Sequence, residues 1–117
     1  MVMPKPAQSK TDVLQGTLDL MVLRTLESLG PQHGYAISAR IEQVSAGALQ
    51  LNMGTLYPAL MRLEQRGLIR GKWGVTETKR KARFYEITAA GKRQLEKEKQ
   101  AWEQMVGIIQ TLLYSES

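Results

Sequence analysis

Cysteine is absent from the 117 residues of the chain. This absence excludes disulfide bonds, thiolate metal sites and cysteine nucleophiles, and it suits a protein of the reducing cytoplasm. Apolar runs long enough to span a membrane are absent from the sequence as well. The first ten residues are polar, contain two prolines and lack the apolar segment of a signal peptide. We therefore expect a cytoplasmic protein with a flexible N-terminal arm over residues 1–10.

Groups that carry catalysis are scarce. His33 is the only histidine, and one histidine cannot form a metal site without carboxylates placed beside it. The sequence offers no Ser-His-Asp set, no phosphate-binding glycine loop and no paired metal ligands at the usual spacing. It therefore argues against an enzyme and predicts no catalytic residue, no metal and no cofactor. The role expected for His33 is in a turn or a helix cap.

Positive charge is concentrated in one segment. Lysine and arginine outnumber aspartate and glutamate by 16 to 11. Residues 70–83 contain six of the basic side chains and a single acidic one, Glu77, which is a net charge of +5. The six are Arg70, Lys72, Lys79, Arg80, Lys81 and Arg83. A compact cationic segment suits the phosphate oxygens of a polyanion, and a basic loop that only aids solubility is the alternative.

Apolar residues at helical spacing predict three helices before the basic segment. The first covers residues 11–29 and is apolar on two sides, so it must be covered on both. The second begins near Gly34 and ends at a Ser-Ala-Gly turn. The third has Asn52 as its N-cap and ends at Gly67. Because Pro58 lies inside it, this helix either kinks or begins its regular part a few residues after the cap.

After the third helix the periodicity changes to that of strands. Residues 68–75 and 83–87 predict two β-strands joined by a basic turn, which together form a hairpin. The residues expected to face the core are Ile69, Trp73, Tyr85 and Ile87. Trp73 is expected to pack the hairpin onto the core, although Phe84 interrupts the alternation.

A long final helix follows the hairpin. Thr88 is a good N-cap for a helix of roughly 26 residues, about 39 Å in length. An apolar seam at heptad spacing runs along it, and nothing else in the chain is left to cover this seam. The seam consists of Leu95, Trp102, Met105, Val106, Ile109, Leu112 and Leu113. A second copy of the chain is the simplest cover, so we expect a homodimer.

This order of elements, mainly α with a small β-hairpin, is that of a winged helix-turn-helix domain over residues 11–88. A C-terminal dimerisation helix and tail follow over residues 89–117. In such domains the third helix enters the DNA major groove and the hairpin, called the wing, contacts the backbone or minor groove. We therefore predict double-stranded DNA as the partner. The predicted DNA contacts are Asn52, Thr55, Tyr57 and Arg62 from the third helix, and Lys79, Arg80, Lys81 and Arg83 from the wing.

Two alternatives remain open at this stage. Tyr35 either contributes a hydrogen bond to phosphate or is a buried aromatic that holds the second helix. The whole chain could also be a protein-interaction adaptor that keeps the scaffold and binds another protein through its long helix. Salt dependence separates DNA binding from the adaptor hypothesis, because the logarithm of a DNA affinity falls with log salt by about 0.9 per neutralised phosphate.

Five sequence blocks occur in order along residues 12–114. They are Leu14-x-Gly16-x-Leu18, Gly30-Pro31-x-His33-Gly34-Tyr35-x-Ile37, Gly54-Thr55-Leu56-Tyr57-Pro58-Ala59-Leu60-x-Arg62-Leu63-Glu64, Gly67-Leu68-Ile69 and Tyr85-x-Ile87-Thr88-x-x-Gly91. Together they resemble the PadR family of bacterial transcriptional regulators, in its smaller subgroup with one C-terminal helix. The resemblance implies a homodimeric repressor that binds a palindromic operator. It also implies that part of the first helix, here Leu14 and Leu18, joins the final helix in the dimer interface.

The resemblance further implies a small-molecule effector, because several members bind aromatic or cationic drugs between their subunits. In some of them a tryptophan of the C-terminal helix stacks on the ligand. Trp102 matches that tryptophan in its distance from Thr88, and it either binds such a ligand or packs in the dimer core. The wing tip, residues 78–83, lacks the glycine that many members carry there.

Overall fold

The computed structural model describes the backbone of residues 6–115 and the side chains of residues 16–115. The elements in chain order are α1 (Pro6–Leu29), β1 (Gln32–His33), α2 (Gly34–Val44), α3 (Met53–Gln65), β2 (Ile69–Val75), β3 (Lys81–Ile87) and α4 (Ala89–Tyr114). The four predicted helices and both predicted strands are present. Residues 6–10 of the expected arm belong to α1, whereas residues 1–5 lie outside the described residues.

Helix α1 packs against each of the other three helices and against β3. Its apolar residues form the centre of a single core to which every helix and the sheet contribute. The core consists of Leu18, Val22, Leu23, Leu26, Ile37, Ile41, Leu56, Ala59, Leu60, Leu63, Leu68, Ile69, Tyr85 and Leu95. Burial on several sides of α1 explains why the sequence shows two apolar stripes on this helix.

Polar side chains cap the N-termini of three helices. His33 caps α2, because its Nδ1 accepts a hydrogen bond from the backbone N–H of Ala36 at 3.3 Å. Asn52 caps α3 and Thr88 caps α4 in the same way. The capping role expected for His33 is therefore confirmed, and α3 begins directly after its cap rather than a few residues later.

The C-terminus of α3 is closed by a Schellman motif. The Leu68 N–H donates to the Leu63 carbonyl and the Gly67 N–H donates to the Glu64 carbonyl, both at 2.9 Å. Gly67 has φ of +73°, a conformation that glycine adopts without steric penalty. The motif turns the chain directly from α3 into β2, which places the wing beside the end of α3.

The strands form one antiparallel sheet in the order β1-β3-β2. In the wing the register runs from the pair Ile69↔Ile87 to the pair Val75↔Lys81. Strand β1 contributes only two residues and pairs with β3, so it joins the start of α2 to the wing. Sequence periodicity could not predict β1, because two residues show no alternation.

The sheet corrects one prediction about the core. Ile69 and Tyr85 are buried and Ile87 is partly buried, as predicted, but Trp73 is 60% exposed. Trp73 lies on the core-facing side of the sheet, yet β2 has passed the edge of the helices by this residue. Phe84 belongs to the opposite side, where it lies over Gly74 and meets the His33 ring edge-on at 5.3 Å.

Only the beginning of α4 packs on the domain. Gly91 and Leu95 are buried, whereas almost all residues beyond Lys99 are exposed. The helix therefore projects from the domain, and the molecule measures 59 Å along its longest axis. Within the described residues, no helix combines the length and apolar character needed to cross a membrane.

Candidate nucleic-acid interface

The face of α3 opposite the core is open to solvent. Its core side consists of Leu56, Ala59, Leu60 and Leu63. Thr55 is exposed, and Tyr57 keeps 42% of its surface while its hydroxyl lies against Gly34 of α2. Both side chains flank the outward face, as the apolar spacing predicts. The outermost residues are Gly54, Pro58, Met61 and Gln65, all exposed, and sequence reasoning missed them although they lie opposite the apolar stripe.

Asn52 has a structural role in addition to its predicted one. Its Oδ1 accepts the hydrogen bond of the Thr55 N–H at 2.9 Å, which fixes the first turn of α3. This bond does not use the side-chain amide nitrogen, and the residue is exposed. The preceding loop is held by Ser38 of α2, whose hydroxyl donates to the Leu51 carbonyl at 2.7 Å.

Tyr35 lies in the first turn of α2 and is 69% exposed. The alternative that it is a buried aromatic is therefore wrong. Because Gly34 packs near Met53 and Tyr57 of α3, the start of α2 lies next to the start of α3. Tyr35, Thr55 and Tyr57 thus belong to one end of the two-helix unit.

The six basic side chains of residues 70–83 fall into two groups, those that form an ion pair with another described residue and those that do not. Arg70 pairs with Glu86 across the sheet at 2.8 Å, and Arg83 pairs with Glu64 of α3 at 2.5 Å. The other four are exposed and make no ion pair within the part of the chain that the structure describes. These four, which we call the free wing cations, are Lys72, Lys79, Arg80 and Lys81.

Arg83 connects the wing to α3. Its guanidinium lies above Gly71, where even a methyl group would collide with it, and 6.0 Å from the centre of the Tyr85 ring. The hydrogen bond to Glu64 raises the pKa of Arg83 above its ordinary value, so the group stays charged. Burial raises the pKa of the Tyr85 phenol, which keeps its hydroxyl neutral. Arg83 thereby links the wing to α3 by a charged hydrogen bond.

Arg62 also makes an ion pair within the chain. Its Nη2 lies 2.9 Å from Oδ1 of Asp19 in α1, and both side chains are largely covered. The pair joins α3 to α1 across 43 residues of sequence. Arg62 and Arg83 thus both form ion pairs within the chain. The sequence did not predict these pairs, because the acidic partners lie far away along the chain.

The wing tip turns without a glycine. The Lys79 N–H donates to the Thr76 carbonyl and the Thr76 N–H donates to the Arg80 carbonyl, at 2.9 and 2.8 Å. Lys79 takes the left-handed conformation, with φ of +61°. This geometry is a type I turn followed by a left-handed residue, a common three-residue hairpin loop. The left-handed position is therefore occupied by a cation.

The projecting part of α4 carries an exposed apolar stripe. It consists of Trp102, Met105, Val106, Ile109, Leu112 and Leu113, as predicted, and all of them are exposed except Val106, which is partly buried. Ile108 and Tyr114 are also exposed, but they lie on other sides of the helix. Two other residues predicted for the dimer interface, Leu18 and Leu95, keep only 3% and 5% of their surface within the single chain. They belong to the core and have almost no surface to offer a partner. The side chain of Leu14 lies outside those described.

Comparison with known proteins identifies the family. A model described as the transcriptional regulator PadR-like family matches residues 22–97, which is more than half of the chain. The chain belongs to the PadR-like family. Its winged-helix fold is also similar to those of solved transcriptional regulators.

A transcriptional regulator from Clostridium thermocellum is 32% identical to this PadR-like chain, with a TM-score of 0.77. The alignment covers 86% of this chain and 96% of that one. A PadR-like transcriptional regulator from Bacillus cereus is 28% identical, with a TM-score of 0.76 and coverage of 90% and 99%. Both structures thus match most of the length of this PadR-like chain.

A further relative is an uncharacterized 37.1 kDa protein in transposon TN4556 of Streptomyces fradiae, 44% identical over 78 residues. That match covers 67% of this chain and 21% of the relative, so the chain spans about a fifth of that protein. Family and fold are those of transcriptional regulators. Among the described residues, no cluster of His, Asp or Glu is arranged to hold a metal ion.

Proposed function

We propose that this PadR-like chain is a homodimeric repressor that binds a palindromic operator through α3 and the wing. The observation that carries the proposal is the position of the free wing cations beside an exposed α3. Helix α3 presents its outward face for the major groove, and the wing presents unpaired charge for the flanking phosphates. A DNA-binding regulator would act in the cytoplasm, in agreement with the sequence prediction.

Individual contacts follow from exposure and chemistry. In this proposal Thr55 and the amide nitrogen of Asn52 contact base edges, since both lie at the start of α3. The hydroxyls of Tyr35 and Tyr57 donate hydrogen bonds to phosphates. Arg62 and Arg83 act as positioning residues in this proposal, because their guanidiniums already pair with Asp19 and Glu64.

The proposed dimer forms through α4. Its exposed apolar stripe is the kind of surface that marks a protein–protein contact, and a two-fold axis lets the same stripe cover itself. Helix α1 also offers apolar surface, in a groove of about 430 Å³ shared with α2. Leu20 and Met21 line this groove and are partly exposed, so they replace Leu18 as the α1 residues of the proposed interface.

The proposed dimer is also the predicted binding site of a small-molecule effector. Trp102 is about half exposed in the single chain, so its indole can pack on a partner or stack on a planar aromatic or cationic ligand. Titration of a planar cationic dye against the wild type and Trp102→Ala tests the second role. Loss of dye binding in a variant that is still dimeric would support it, and equal binding would contradict it.

Selection of bound fragments from random duplex DNA tests the central proposal. We expect an enriched palindrome with half-sites separated by about one turn of DNA, roughly 34–36 Å, or a multiple of it. A reporter gene under that operator then tests repression. An adaptor without operator binding would enrich no sequence and would show no salt-dependent affinity for duplex DNA.

The free wing cations provide a sharper test. Arg80→Ala and Lys81→Ala should weaken binding to specific and to random duplexes almost equally, because these side chains contact phosphates rather than bases. Each should also reduce the slope of log affinity against log salt by about 0.9 per lost phosphate contact. Glu77→Ala, in the same loop, removes a negative charge instead and should not weaken binding. Unchanged affinity in both cation variants would remove the wing from the mechanism.

A further inference from the structure

Trp73 is a large aromatic residue of the wing that the core leaves mostly uncovered. Residues 69, 71, 73 and 75 of β2 project from the same side of the sheet, the side that buries Ile69 in the core. Along this row burial decreases, and Trp73 and Val75 are 60% and 67% exposed. The core-facing side of the sheet therefore continues past the helices as an uncovered apolar strip on the wing.

Cations surround the exposed indole. The Lys81 ammonium lies 5.2 Å from the centre of the Trp73 ring, which is a cation–π distance. Arg83 is directly opposite Trp73 in the register of the hairpin. Because the Arg83 side chain reaches Glu64 of α3 from this side of the sheet, Trp73 lies on the side of the wing that adjoins α3.

The chemistry of this strip defines its partner. A flat apolar ring among cations matches a surface on which anions and apolar groups alternate at short distance. The walls of the DNA minor groove have this composition, since phosphates alternate with deoxyribose rings. A wholly apolar partner would leave Lys81 and Arg83 poorly solvated, and a purely anionic one would gain nothing from the indole.

We propose that Trp73 is a DNA-contact residue whose indole packs on deoxyribose at the edge of the minor groove, while Lys81 beside it binds the adjoining phosphate. The inference rests on the proposed function, because it requires that the wing meets duplex DNA. It assigns to the wing an apolar contact in addition to its charge. Such a contact reads no base, so Trp73 adds affinity for every sequence that the wing touches.

An apolar contact has a distinctive salt dependence. Neutralising a phosphate releases counterions, and affinity from this source falls as salt rises. Packing of an indole on a sugar releases no ions, so its contribution is the same at low and high salt. Trp73 is therefore expected to differ from Arg80, which lies at the tip of the same wing.

The experiment measures the dissociation constant for the selected operator over a series of salt concentrations. Trp73→Ala is expected to weaken binding on the order of tenfold at every salt concentration, with an unchanged slope. Arg80→Ala is the matched control and is expected to reduce the slope. Trp73→Phe keeps an aromatic ring in place and should retain most of the affinity.

Tryptophan fluorescence gives a second measurement that does not depend on the Ala variant folding. Duplex DNA is expected to quench the emission of the wild-type protein by contact with Trp73. Trp73→Phe retains Trp102 as its only tryptophan, so loss of the quenching in this variant assigns the signal to Trp73. Thermal unfolding of Trp73→Ala should resemble that of the wild type, because the indole contributes little to the core.

The outcomes separate the inference from the proposed function. Wild-type protein that ignores duplex DNA at low salt would overturn both. Wild-type protein that binds DNA while Trp73→Ala binds equally well, or while the emission of Trp73 stays unchanged, would overturn the inference alone. A loss in Trp73→Ala that disappears at high salt would also overturn it, because Trp73 would then act only by orienting Lys81.

Discussion

Two glycines of α4 show how one residue type has different roles within one helix. At Gly91 the helix approaches the sheet so closely that an added Cβ would overlap the Leu68 carbonyl oxygen and lie 2.7 Å from Cγ1 of Ile87. A backbone carbonyl cannot rotate away as a flexible side chain can. At Gly107 an added Cβ would meet no atom of the chain within 4 Å.

The same substitution at these glycines should change stability in opposite directions. Gly91→Ala is expected to lower the free energy of unfolding by about 1–3 kcal/mol, because it overpacks the contact of α4 with Leu68 and with Ile87 of β3. Gly107→Ala should raise it by up to about 1 kcal/mol, since alanine is the better helix former and the position faces away from the apolar stripe. Urea unfolding of both variants checks this, and a shift of both in one direction would contradict the packing.

Lys79 combines a strained backbone conformation with a positive charge at the wing tip. The left-handed conformation costs a residue with a Cβ roughly 1–2 kcal/mol, and glycine is free of that cost. Lys79→Gly is therefore expected to stabilise the fold by up to about 1 kcal/mol while weakening DNA binding and reducing its salt slope. Lys79→Ala removes the charge and keeps the strain, so it should weaken binding without stabilising. A destabilised Lys79→Gly would show that the tip adopts another turn.

At the scale of the element, the first turn of α3 combines a cap with the proposed base contacts. Asn52→Ala should lower the free energy of unfolding by about 1 kcal/mol, because the Thr55 N–H loses its acceptor. Asn52→Ser retains a capping oxygen but loses the amide. We expect near-normal stability and an altered preference among operator variants, measured by unfolding and by competition binding.

The outcome for Asn52→Ser decides between the two roles of this residue. A variant equal to the wild type in both measurements would leave Asn52 as a cap only. Thr55→Ala is the matched control, because it removes a hydroxyl that takes no part in the cap. It is expected to change operator preference by roughly 1–3 kcal/mol of discrimination. A uniform loss of affinity for all duplexes would reassign Thr55 to backbone contact.

At the scale of the whole molecule, α4 decides whether two wings are held together. Trp102→Asp should abolish the proposed dimer, since it places an unpaired charge within the apolar stripe. Operator affinity should then fall steeply, because each half-site is bound alone. Gln104→Asp adds the same charge on the far side of the helix and should leave the dimer intact. A stable Trp102→Asp dimer in analytical sedimentation would contradict the interface.

The sequence predicted the order of elements, the caps at His33, Asn52 and Thr88, and the apolar stripe of α4. These features depend on residues a few positions apart, so periodicity and capping chemistry reveal them. Strand β1 and the start of α1 escaped prediction, because a two-residue strand and a polar first turn carry no periodic signal. The continuation of α3 through Pro58 was also undecided, because a proline after the first turn allows either a kink or a later start of the regular helix.

Among the predicted site residues, the tertiary structure alone distinguished those that face solvent from those that serve the fold. Arg62 and Arg83 pair with acids 43 and 19 residues away, and no local pattern encodes such distances. Leu18 was expected in the dimer interface but is buried in the core, whereas Trp73 was expected in the core but is exposed. Both differences have a related reason. Whether an apolar side chain is covered depends on where the neighbouring elements end, which is a property of the assembled fold and not of the segment that contains the residue.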